Sequence, residues 1–233
     1  MKKNKKNIGV ITISVISIGL LFILYNYQDK LTEAQVPNVE KEIENLERIN
    51  ENDSQEITYE ELLKLGFYYE KENEDDNARE IYLELTQTYK ENYLGWHRLA
   101  NLYEKNKEFD KAVATREQTI KIAPENYDMY WYLSVSLLTR DFERALTVGE
   151  KAESLIENED SSKEFIKDYN SLLRKLNEES HFQSYLQMIE GDYLEGSPQI
   201  RLFLIQKVNQ DFDLNEKEKK VLKSIKNSIL ENE

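Results

Sequence analysis

The sequence predicts an all-α protein: consecutive antiparallel helix pairs, preceded by a single N-terminal helix that spans a membrane. Three observations carry this reading. Leu62, Leu65, Gly66, Tyr69, Ala78 and Tyr82 recur 34 residues later as Trp96, Leu99, Ala100, Tyr103, Ala112 and Arg116, and again as Tyr130, Leu133, Ser134, Leu137, Ala145 and Gly149. Only 7 Gly and 3 Pro occur in 233 residues, too few for the many turns of an all-β chain. The 22 residues between Lys6 and Asp29 carry no charge.

The apolar core of that uncharged run, Ile8 to Tyr25, is 18 residues long. As a helix it would measure roughly 27 Å, near the thickness of a bilayer's hydrocarbon core. Lys2, Lys3, Lys5 and Lys6 precede it, and no Lys or Arg follows until Lys30. This asymmetry predicts a single-pass signal anchor over 8–27, with residues 1–7 in the cytoplasm and the body outside the cell membrane. Tyr25 and Tyr27 suit an outer interfacial belt. The competing reading is a cleaved signal peptide. Such a peptide has an apolar stretch of about 7–15 residues closed by small residues. Here Leu24, Tyr25, Asn26 and Tyr27 close the run, which favours the anchor.

Residues 28–58 read as a polar stalk. Within it Val39, Ile43 and Leu46 share one face of a short helix that starts near Pro37 and Asn38; a tether without structure is the alternative. The three repeats follow at about 59–92, 93–126 and 127–159. Gly66, Ala100 and Ser134 on the first helix of each pair, and Ala78, Ala112 and Ala145 on the second, permit close approach. Tyr69, Tyr103 and Leu137 fill the space between. Polar turns at 73–76 and 106–110 separate the helices of the first two pairs, and Pro124 stands where a helix should stop.

These residues resemble the tetratricopeptide repeat (TPR), whose pattern is Trp-x2-Leu-Gly-x2-Tyr, then Ala-x3-Phe, then Pro, over 34 residues. The resemblance covers about 100 of 233 residues, and implies a right-handed α-solenoid that binds proteins. The chain departs from the pattern in places. Arg116 replaces an aromatic, Lys90 replaces Pro, the third repeat is one residue short between Leu137 and Ala145, and Gly149 leaves a gap.

Residues 160–233 read as degenerate helical repeats and a C-terminal cap. Ser161 to Glu164 forms a capping box ahead of the stripe Phe165, Tyr169, Leu172 and Leu176. His181 to Ile189 is a second helix, stopped by Gly191. Ser197-Pro198 opens a third, apolar on most faces from Ile200 to Val208. Asp213 to Glu216 reads as another box ahead of Val221, Leu222, Ile225 and Ile229. The final helix is charged on its other side, as a terminal cap of stacked repeats must be.

Composition narrows the function classes. The net charge is −14, and the four N-terminal lysines leave −18 for the remainder, so nucleic acid is not an expected partner. Cysteine is absent, which removes disulfides and thiolate chemistry. Abundant Lys, Asn, Ile and Glu fit AT-rich coding, as in a low-GC bacterium. No phosphate loop, nucleophile arrangement or metal-ligand spacing is present, and His97 and His181 each lack a second ligand. Neither enzymatic activity nor a small-molecule cofactor is therefore expected.

The TPR resemblance implies a partner site on the concave side, lined by the first helices. In the repeat register the groove positions are Leu63, Lys64 and Phe67, then His97, Arg98 and Asn101, then Trp131, Tyr132 and Val135. From these, Lys64, Phe67, His97, Arg98, Asn101, Trp131 and Tyr132 form the candidate partner-binding set, combining aromatics with cations. Trp131 and Tyr132 have a second reading, packing against the next helix pair. The carboxylate clamp of chaperone-binding members is not expected: Asn101 matches it, but Leu63, Phe67, Asp128 and Tyr132 do not. The function implied is an anchored scaffold or assembly factor for a protein or peptide partner. The alternative is a chaperone-like holder of exported unfolded chains.

Overall fold

The computed structural model describes residues 39–50, 57–157, 162–178, 182–194 and 196–231. The expected anchor, most of the stalk, Ser161 and His181 lie outside them. The chain divides into two units, Met1–Ile57 and Thr58–Glu233. In the first, α1 (Val39–Asn50) buries Ile43 and Leu46, two members of the expected stripe. In the second, ten α-helices and one 3-10 turn are described, and the described residues contain no strand. No helix among the described residues is long and apolar enough to cross a membrane.

Three helix pairs open the second unit. They are α2 (Tyr59–Lys71) with α3 (Asp75–Thr88), α4 (Tyr93–Lys105) with α5 (Phe109–Ile122), and α6 (Tyr127–Leu137) with α7 (Phe142–Leu155). The first helices start 34 residues apart because each has an N-cap in the same place. Thr58 closes a capping box with Glu61, while Asn92 and Asn126 accept from the amides of Leu94 and Asp128. The turns inside the pairs also repeat. Asn73 and Lys107 sit at φ 59° and 61°, and the following amides, of Glu74 and Glu108, reach back to Tyr69 O and Tyr103 O at 2.8 Å. The third turn is one residue shorter, so the left-handed residue is missing. Asp141 N bonds Leu137 O instead, and the Asp141 carboxylate caps α7 at Arg144 N, 2.9 Å away.

The inside of each pair is a size match. In register the facing positions are Gly66 and Tyr82, Ala100 and Arg116, Ser134 and Gly149; as the first residue grows, the second changes to suit it. A Cβ on Gly66 would lie 2.4 Å from the Tyr82 ring, which is fully buried. The gap at Gly149 is taken by α8, since a Cβ there would meet Asn170 Oδ1 at 2.2 Å. Asn170 is itself fully buried and donates to Glu153.

Four helices complete the unit: α8 (Ser162–Glu178), α9 (Phe182–Glu190), α10 (Pro198–Asp211) and α11 (Glu216–Glu231). The cap of α11 differs from expectation. Asn215, not Asp213, accepts from the amides of Lys217 and Glu218, and Glu218 returns the bond to Asn215 N. Each helix from α2 to α11 packs on its successor, and α10 also reaches back to α4. A strictly linear stack would not allow that contact. Its cause is the composition of α10: Ile200, Leu204 and Val208 are fully buried, while Phe203 meets Phe109 edge-on at 5.6 Å. A helix that is apolar on most faces must be covered on more than one side.

Gly66→Ala should force the Tyr82 ring from its seat and destabilise the fold by about 1–3 kcal/mol, as overpacking does. Urea unfolding followed by circular dichroism would measure this; an unchanged midpoint would mean that the pair tolerates wider spacing.

Candidate partner-binding face

The face is assembled from helical stripes. His97, Asn101 and Glu104 are spaced i, i+4, i+7 along α4, and Tyr132 and Ser136 are spaced i, i+4 on α6. They converge on Arg116 of α5, whose side chain is 2% exposed. Arg116 Nε donates to Glu104 Oε1 at 2.8 Å, and Nη2 donates to Asn101 Oδ1 at 2.8 Å. Ser136 Oγ donates to the same Glu104 oxygen at 2.5 Å. The Arg116 guanidinium lies 5.1 Å from the Tyr132 ring centre, a cation–π distance.

His97 completes the cluster. Its ring is 4.6 Å from that of Tyr132, with Asn101 Nδ2 3.2 Å from Nε2 and Arg116 Nη1 3.4 Å from Nδ1. Burial, reinforced by the charges of Arg116 and Arg98, pushes the His97 pKa down to about 3. The imidazole is therefore neutral across the physiological range.

The pattern has a precedent one repeat earlier. Tyr82 Oη donates to Glu70 Oε2 at 2.5 Å, and Glu70 and Tyr82 hold the register positions of Glu104 and Arg116. Burial pushes the Glu70 carboxyl up and the Tyr82 hydroxyl up as well. The substitution of Arg for an aromatic at 116 thus keeps a donor to a buried carboxylate. In the third repeat Leu138 stands at the Glu position, and Ser134 bonds Ala145 O and Tyr169 Oη instead.

The other expected residues take three different positions. Phe67 is half-buried, with Lys71 Nζ 5.3 Å and the Arg98 guanidinium 5.5 Å from its ring centre. Lys64 is exposed, its Nζ 5.4 Å from the ring centre of buried Tyr68. Trp131 lies tilted against Tyr132, ring centres 4.9 Å apart, and meets Phe165 of α8 edge-on at 5.8 Å, so it contacts the following helix. Its Nε1 is buried with no hydrogen-bond partner among the described residues.

The polar end of the face is covered by the chain itself. Glu70, Asn101, Glu104 and Lys105 line a cleft of about 240 Å³ with residues 196–200, at the start of α10. The amino end of that helix and the two carboxylates border the same cleft. What stays accessible is the part built from Lys64, Phe67, Lys71 and Arg98. Arg79, Arg116, Arg140, Arg144 and Arg174 each pair with a carboxylate, whereas Arg98 pairs with none among the described residues.

No family model matches the chain, and no curated protein matches it. Two solved structures, MamA MSR-1 C2 and MamA AMB-1 P212121, are similar at 21% and 19% identity, with TM-scores of 0.45 and 0.46. The alignments cover 79% and 83% of this chain and 97% and 95% of those chains.

Lys71, Glu104, Arg116 and Ser136 belong to this constellation but not to the set expected from sequence. Glu104 had a detectable signal, since it repeats Glu70 at 34 residues. Ser136 had none, because its role depends on the spacing between α4 and α6.

Arg116→Ala should cost about 3–5 kcal/mol, the penalty for leaving a buried carboxylate without its partner. Arg116→Tyr, which copies the Tyr82–Glu70 pair, should be milder. Urea titrations of both variants test the order, and equal losses would show that the donor to Glu104 is unimportant.

His97 also sets a pH dependence. Its folded pKa lies below the unfolded value of 6.5, so the unfolded chain takes up the proton first. Stability should therefore fall as pH drops from 6.5 toward 3, and His97→Gln should reduce that slope. Urea midpoints across this range measure the difference.

Proposed function

We propose that the chain is a membrane-anchored scaffold or assembly factor that binds a protein or peptide partner on the accessible part of the α2–α4 face. The role is one of interaction, not enzymatic, with a single-pass anchor at 8–27 and an extracytoplasmic body. The observation that carries the binding reading is Phe67 held between Lys71 and Arg98. A guanidinium with no ion pair among the described residues and a half-buried aromatic make a two-part contact. The ring takes an apolar side chain, and the cations take a neighbouring carboxylate. Aromatic and Arg residues are the usual energetic centres of interfaces. The remaining candidates support this face from below: His97, Asn101 and Tyr132 hold Arg116, and Trp131 ties α6 to α8.

The anchor reading is supported by the uncharged run and by lysines on one side of it only. Protease applied to wall-stripped cells should digest the body. A body that resists until the membrane is opened would overturn the topology.

Crosslinking in native membranes, read by mass spectrometry, should recover a small set of stoichiometric partners. Phe67→Ala and Arg98→Ala should each weaken capture by about 2 kcal/mol or more, roughly thirtyfold, with helical content unchanged. Recovery of many unrelated chains, together with suppression of aggregation of an unrelated protein, would favour a chaperone-like holder. Folded variants that capture normally would place the partner on another surface.

A further inference from the structure

The structure assigns a second binding surface to the cleft between the α4–α5 turn, α10 and α11, and it fits an acidic peptide segment of a partner that carries one or two large apolar side chains. This surface is separate from the α2–α4 face and does not rest on the reading given for it.

The cleft measures about 540 Å³, inside the range of roughly 300–1,000 Å³ typical of sites that hold one ligand. Its apolar lining includes Phe109, Leu202, Phe203 and Leu230. The edge-on contact of Phe109 and Phe203 ties the α4–α5 turn to α10. Because α10 turns Ile200, Leu204 and Val208 into the core, Leu202 and Phe203 are left half-buried on its other side. Leu230 is 49% exposed, more than any other large hydrophobic among the described residues. The last turn of α11 leaves this leucine beside an open apolar cleft.

Charge selects the occupant. Lys107 and Lys226 line the cleft, both are exposed, and neither pairs with a carboxylate among the described residues. Lys107 occupies the left-handed turn position, φ 61°, so the backbone fixes where its side chain departs. Lys226 belongs to a helix with five lysines and three glutamates. This is a local cationic field in a body of net charge −18 beyond residue 27. Nucleic acid would meet that field but be repelled by the body as a whole. A second copy brings the same excess of negative charge. A short acidic segment satisfies the lysines without the repulsion, and an aromatic or leucine side chain fills the apolar cleft.

The test is selection of a random-peptide display library on the full chain in mild detergent. Recovered peptides should be enriched in Asp and Glu beside Phe, Leu or Trp, and their affinity should fall as salt rises. The double variant Lys107→Asn with Lys226→Gln keeps a residue suited to the left-handed turn, and it should lower affinity by about tenfold or more. Leu230→Asp should lower it further, while Arg98→Ala should leave it unchanged. Selected peptides without acidic residues, or affinity untouched by the lysine variant, would overturn the assignment. Loss with Arg98→Ala alone would also overturn it, placing the acidic ligand on the α2–α4 face. Dimerisation of the full chain that Leu230→Asp abolishes would identify a second copy as the occupant and reject the peptide.

Discussion

The buried pair of Arg116 and Glu104 constrains the central helix pair and the first helix of the pair that follows. Two charges taken out of water are costly unless their remaining hydrogen-bonding positions are filled. The fold fills them from three helices: Asn101 and Glu104 come from α4, Arg116 from α5 and Ser136 from α6. Each bond has a narrow geometric tolerance, so together they specify how far α6 sits from α4. Hydrophobic contacts between the same helices are less directional and would accept small slides. The polar cluster supplies register where leucine and alanine supply adhesion.

Electrostatics divides the surface in the same way. Most described arginines are committed to carboxylates, several of them linking one helix pair to the next, as with Arg79 and Glu108 or Arg174 and Glu150. Such exposed pairs contribute little each, about 0–1 kcal/mol. Their larger effect is to remove cations from the surface potential. Against that background Arg98, Lys107 and Lys226, which form no ion pair among the described residues, sit beside half-buried aromatic or aliphatic groups.

Much of the fold was legible because it is written in repetition. The polar turns at 73–76 and 106–110 and the small residues at Gly66 and Ala100 obey one spacing, and the structure adds caps at Thr58, Asn92 and Asn126 that follow it as well. One-dimensional periodicity is what a sequence displays most directly. The missing residue in the third turn was legible too, though not its remedy, since the carboxylate cap at Asp141 depends on local backbone geometry. The site was less accessible. Lys64, Phe67, His97, Arg98, Asn101, Trp131 and Tyr132 were placed on the right helices by register, but register does not say which side chains the protein uses for itself. Arg116 drew His97, Asn101 and Tyr132 around its guanidinium, and Phe165 drew Trp131 toward α8. The return of α10 to α4 had only a compositional clue, an apolar helix with too many faces to cover.

That return changes how the molecule must acquire its structure. In a plain repeat array every stabilising contact is between near neighbours, so segments can order one after another as they are synthesised. Here the face of α4 around Glu104 and the ring of Phe109 are completed only when the α10 segment arrives, long after α4 and α5 have formed. Contacts between residues so distant in sequence carry a loop-closure cost that local pairs do not. The early helix pairs must persist with part of their apolar surface uncovered until then. The second unit therefore behaves as a closed circuit rather than a chain of interchangeable links, and loss of its last helices would be felt near its beginning.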